Sequence, residues 1–207
     1  MADAELMKLV RTIAARDDDA VHDLLATSPA LAKAHFEHGA SRQTAKTYYI
    51  DEIGHYVYAG DTALHLAAAA YRHEIAKTLI GMGANVRASN RRGAEPLHYA
   101  ADGMPGSLAW NPAAQSATIA YLIAAGANPN ANDKSGVTPL HRAVRTRCAA
   151  AVEALLQGGA DPRRKNKNGS TPMLLAIQNS GRGGSGSREA KAQQKRIVRL
   201  LEEHIEQ

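Results

Sequence analysis

The residues able to do chemistry fall into four groups. The first is histidine: the chain carries nine, and His65, His98 and His141 recur in similar surroundings, so a shared metal ion is the first chemistry to test. The second is the single cysteine, Cys148, whose neighbours Arg145 and Arg147 carry charges that would lower a thiol pKa and favour a nucleophile. The third is Gly181-Arg182-Gly183-Gly184-Ser185-Gly186, which spells G-x-G-x-x-G, a pattern whose backbone N–H groups can meet a pyrophosphate. The fourth is aromatic: Phe36, Tyr48, Tyr49, Tyr56 and Tyr58 gather within one short stretch, and Trp110 is the only tryptophan.

Most of these chemistries fail on context. A dinucleotide glycine motif follows a strand and opens a helix, whereas Leu174 to Gln178 reads as helix and no βαβ unit surrounds it. What remains there is simple anion capture by glycine N–H groups, with Arg182, Gly183, Gly184 and Arg188 as the residues concerned. Cys148 has no ordered base partner legible in the sequence, so a partly buried thiol is the ordinary reading and no catalytic residue is assigned.

The elements that position these groups come from internal repetition. Gly60-Asp61-Thr62-Ala63-Leu64-His65-Leu66-Ala67-Ala68 recurs from Gly93, from Gly136 and, more weakly, from Gly169, at separations of 33, 43 and 33 residues. A second landmark follows each of the first three: Leu79-Ile80 to Gly83-Ala84-Asn85, Leu122-Ile123 to Gly126-Ala127-Asn128, and Leu155-Leu156 to Gly159-Ala160-Asp161. Thr138 and Thr171 are helix caps by type, Pro139 and Pro172 suit a first helical position, and Gly83, Gly126 and Gly159 suit a left-handed helix end.

In these landmarks the chain resembles the ankyrin-repeat family, strongly over residues 60–177. The resemblance implies an all-α solenoid of helix-turn-helix units joined by short hairpins, and a partner-binding module working through a concave groove. Residues 1–35 are predicted as a degenerate N-terminal capping unit and 36–59 as a Tyr-rich inserted finger. Repeats follow at 60–92, 93–135 (with ten inserted residues) and 136–168. A capping repeat with a Gly-rich insertion is predicted at 169–207. Stacked helices lie roughly 8–10 Å apart and zinc bonds are about 2.0–2.1 Å, so His65, His98 and His141 cannot share one ion. The resemblance gives them a structural role instead, each imidazole bonding backbone between repeats.

Partner contacts are expected from Tyr48, Tyr49, Tyr56 and Tyr58 on the finger, and from Tyr99, Arg142 and Arg145, which the resemblance places on the groove. A rim is expected where Trp110 meets Arg145, Arg147, Arg182 and Arg188. Net charge is +5, running from −3 over residues 1–59 to +7 over 136–207. The expected partner is therefore a protein with an acidic or phosphorylated segment. Nucleic acid is disfavoured because no reading motif is present. The alternative is a small anion or nucleotide held by the Gly181–Arg188 loop beside Trp110. One cysteine and no long apolar window suggest a cytoplasmic, soluble protein without a membrane span; no cofactor is expected, and a monomer is the expected state.

Overall fold

Three of the repeats start their first helix with a threonine cap, and Glu95 takes that place in the fourth. In the computed structural model, which describes residues 2–103, 105, 110–178 and 188–206, the first helices of the repeats are α3 (Ala63–Ala69), α5 (Pro96–Ala101), α7 (Pro139–Arg145) and α9 (Pro172–Ile177). Thr138 Oγ1 accepts the His141 N–H at 3.3 Å, and Thr171 Oγ1 accepts the Leu174 N–H at 3.2 Å. The proline at the first helical position of α5, α7 and α9 loses nothing, because that N–H has no helical partner in any case. Second helices follow: α4 (His73–Gly81), α6 (Pro112–Ala124), α8 (Ala149–Gln157) and α10 (Arg188–Ile205). Gly83, Gly126 and Gly159 end the first three of these with φ of 92°, 101° and 88°.

The helices stack in two rows. The first-helix row runs α3, α5, α7, α9, with α1 (Ala2–Ala15) packed on α3; the second-helix row runs α4, α6, α8, α10. Leu64, Leu97 and Leu140 occupy the same register in successive layers and are fully buried, as is the alanine or valine face around them. This is the continuous core that no single repeat can make alone. The ends differ as they must. α1 buries Leu6, Leu9, Val10 and Ile13 inward, with α2 (Asp18–Thr27) beside it. α10 buries Ile197 and Leu201, leaves much of its length to solvent, and pairs Arg196 with Glu153 at 2.5 Å.

Turn tips knit the layers together along one edge. Asn90, Asp133 and Asn166 each accept two downstream backbone N–H groups with the side-chain oxygen. Successive tips are joined by backbone bonds: Arg91 N–H to Ala59 O (2.8 Å), Lys134 N–H to Arg92 O (2.9 Å) and Lys167 N–H to Ser135 O (3.0 Å). Gly60 and Gly93 are required here twice over. Both have positive φ, and a Cβ would sit 2.8 Å from Asn90 Cα and 2.9 Å from Lys134 N respectively.

The three histidines form an inter-repeat ladder. Nδ1 of His65, His98 and His141 accepts the N–H of Thr62, Glu95 and Thr138 at 3.1–3.2 Å. With Nδ1 an acceptor, the proton lies on Nε2, which donates to Ala94 O, Val137 O and Ser170 O of the next repeat at 3.0–3.1 Å. The neutral tautomer is thus fixed by its two partners. Among the described residues no group of three or more His, Cys, Asp or Glu side chains is placed to hold a metal ion.

A short hairpin lies between the N-terminal helices and α3. Two short antiparallel strands, β1 (Tyr49–Ile50) and β2 (His55–Tyr56), pair Tyr49 with Tyr56 and Ile50 with His55. Phe36, Ile50 and Val57 are fully buried and anchor the hairpin to the helices.

Candidate functional site

The hairpin leans over the first-helix row and makes a cleft with it. Gly54, His55, Tyr56 and Tyr58 form one side; α5, α7 and the Asn90–Ala94 turn form the other, through Arg92, Tyr99, Arg142 and Arg145 among others. The space is about 570 Å³, within the range of ligand clefts.

The charges of this cleft are ordered. Arg142 Nη1 lies 2.9 Å from Asp102 Oδ2, and its Nη2 lies 3.5 Å from Asp133 Oδ2. His55 Nε2 approaches the same Asp102 oxygen at 3.9 Å. Burial alone would raise the Asp102 pKa; Arg142 and His55 overcome it and hold the carboxyl well below the usual carboxylate range. Asp102 is therefore committed within the protein. Arg92 stacks over the Tyr58 ring at 5.0 Å and donates to its hydroxyl at 3.0 Å. The cleft wall carries three arginines against one carboxylate.

The expected contact residues divide. Tyr56, Tyr58, Arg142 and Arg145 line the cleft, and Tyr56 is 40% exposed. Tyr49 stacks on Tyr56 with ring centroids 4.7 Å apart, and Tyr48 is half-buried against the core. Tyr99 is a correction: it is 1% exposed, so its side chain is not the open groove surface expected. His55 stacks on its ring at 4.3 Å, and its hydroxyl donates to Asp61 Oδ2 (2.8 Å) and accepts from Asn90 Nδ2 (2.9 Å).

Arg147 is a second correction. It does not lie on an open rim but is 3% exposed, with both terminal nitrogens buried and without a hydrogen-bond acceptor among the described residues. Its φ is 60°, a left-handed conformation that costs a non-glycine residue about 1 kcal/mol or more. Arg147→Gly relieves this strain and removes a buried guanidinium that lacks an acceptor among the described residues, and is expected to stabilise the protein by about 1 kcal/mol, read as a higher denaturant midpoint; a lower midpoint would contradict the strain. Cys148 is fully buried, and burial pushes its thiol up to about 12, against the lowering expected from nearby arginines.

Trp110 is half-buried and donates its Nε1–H to Gln115 Oε1 at 2.9 Å. It lines a second, neighbouring pocket and not the arginine cleft. Arg188 is exposed at the start of α10, while Arg182, Gly183 and Gly184 lie outside the described residues. Sequence reasoning missed His55 and Asp102, since neither repeats with the period and each acquires its role only from the insertion that meets it.

Helix pairs in two stacked rows, bonded from one repeat to the next by His65, His98 and His141 and joined through turn tips, define a repeat-solenoid protein. The family model for ankyrin repeats (3 copies) matches residues 12–110 and 108–205, and the chain belongs to the ankyrin-repeat family. Ankyrin repeats are in general protein–protein interaction modules, and the family is typically non-catalytic. A search of curated proteins found no match. Among the described residues no helix is long and apolar enough to cross a membrane.

Proposed function

We propose that this chain is a non-catalytic adaptor that binds an acidic or phosphorylated segment of a protein partner in the cleft between the hairpin and the first-helix row. The observation that carries the reading is the gathering of arginine on the cleft wall, where Arg92 is exposed and Asp102 is already held by Arg142. An incoming carboxylate or phosphate meets Arg92 in the positive field of the neighbouring arginines, and Tyr56 and Tyr58 supply apolar contact at little entropic cost. The rigid ladder behind the cleft keeps it preformed. A lone buried cysteine suits a reducing compartment, and we place the interaction in the cytoplasm.

The test is calorimetric titration with synthetic glutamate-rich and phosphoserine peptides at low and high salt. Affinity is expected to fall with added salt. It is expected to fall by at least about tenfold in Arg92→Glu and in Arg145→Glu, because like charges brought together cost several kcal/mol. Unchanged affinity in both folded variants would overturn the reading.

A further inference from the structure

Next to the arginine cleft lies a smaller pocket of different chemistry. Its floor is made by Ala14, Ala69 and Ala70, and its walls include Ile53, Tyr71 and Trp110. The space is about 180 Å³, compared with the roughly 150 Å³ cavity that holds benzene. Short alanine side chains at three positions of the lining leave this volume open.

The polar atoms of the aromatic walls are already engaged, and Glu52 lines the pocket as an exposed carboxylate. The Tyr71 hydroxyl donates to Asp102 O at 2.5 Å, Trp110 Nε1 donates to Gln115, and Arg16 Nη2 donates to Ala70 O at 3.5 Å. What the tyrosine and tryptophan offer a visitor is therefore ring surface. That suits an apolar ring, seated against aromatic neighbours, and not a phosphate within the pocket itself, which the Glu52 carboxylate would repel.

The pocket and the arginine cleft share a wall: Gly54, His55, Tyr99, Asp102 and Gly103 line both. A single extended peptide can place one side chain in each, since a strand advances roughly 3.3 Å per residue. We infer that the pocket takes an aromatic side chain of the same acidic segment, a few residues from its carboxylate or phosphate. The ring supplies the anchor and the arginines supply the charge selection. This rests on the proposed acidic-segment reading for the identity of the ligand, but the ring site has its own probe.

The experiment uses the full chain and a series of synthetic peptides. Each has one glutamate run, with phenylalanine at successive places beyond it, and an alanine peptide serves as reference. N-acetylphenylalanine amide is the free-ring probe. Calorimetry gives the affinities, and emission from Trp110, the sole tryptophan, reports on the pocket wall. Two variants fill the pocket from different sides, Ala70→Leu and Ile53→Phe, each checked for helical content and cooperative melting.

One phenylalanine peptide is expected to bind at least about tenfold more tightly than the alanine peptide, the order expected for burying a ring. That gain should vanish in the filled variant that folds, while the alanine peptide binds as before. If no phenylalanine peptide gains, or the gain survives in both folded variants, the inference is overturned. If no acidic peptide binds at all, the acidic-segment reading falls and the ring probe decides the pocket. A saturable Trp110 response lost on filling upholds the ring site, and no response overturns it.

Discussion

Acidification from neutral pH towards pH 4 is expected to remove several kcal/mol of the stack's stability. The cause is the histidine ladder. In each of His65, His98 and His141, Nδ1 must accept a backbone N–H, so a proton there would face another donor. Burial, the largest influence on all three, pushes their pKa values down, and His98 lies at about 4. The unfolded chain, with histidines near 6.5, therefore binds protons first. The contribution is complete above pH 6.5 and is lost as the pH falls from there to about 4. For His98 alone, depression from 6.5 to about 4 is worth about 3 kcal/mol. Glu95 works the other way, since burial raises its pKa, but it is one group against three. Denaturant midpoints measured across this range should fall steeply with acid, and His98→Gln should flatten the curve. A profile level between neutrality and pH 4.5 would contradict the neutral ladder.

Asp61→Ala is expected to cost about 3–5 kcal/mol, because it strands several buried donors at once. Asp61 is fully buried. It accepts the Tyr58 N–H at 2.7 Å, the Asn90 Nδ2 at 2.8 Å and the Tyr99 hydroxyl at 2.8 Å. Through these it ties the hairpin to the turn and first helix of the next repeat, so the same substitution should loosen the cleft. Tyr99→Phe removes only one of these bonds and should cost about 1–2 kcal/mol, which keeps the account measurable if the alanine variant fails to fold. Chemical denaturation gives both values, and amide exchange at Tyr58 should accelerate in step. A loss below about 1 kcal/mol for Asp61→Ala would show that the network is not the anchor described, since even one stranded buried donor costs that much.

The repeat was legible because its causes are local. A cap hydroxyl, a first-turn proline, a histidine three places beyond the cap and a glycine after the second helix each meet a requirement inside one or two layers. They therefore recur in most layers, although Glu95 replaces the cap hydroxyl in one, Ala63 the proline in another and Leu174 the histidine in a third. What the insertions do is not local. Asp61 occupies an ordinary turn position until Tyr58 returns against it. Tyr99 shares its register with Leu66 and Arg142, and the arginine suggested exposure; Leu66, which is buried, was the better guide. Arg147 shares its register with Tyr71, and both have positive φ. Tyr71 reaches along the stack to Asp102 O, so side chains at this turn run between layers and not outward. His55 had no periodic signal to find, because pairing to Ile50 in the hairpin is what aims it at Asp102.

The measurement that bears most directly on the binding surface is a charge exchange across the cleft. Arg92→Glu should lose the glutamate-rich peptide and gain the same peptide with lysine in place of glutamate, while the unaltered protein does the reverse; this crossed pattern requires the two charges to meet. Equal binding of either peptide by both proteins would place the partner elsewhere on the solenoid.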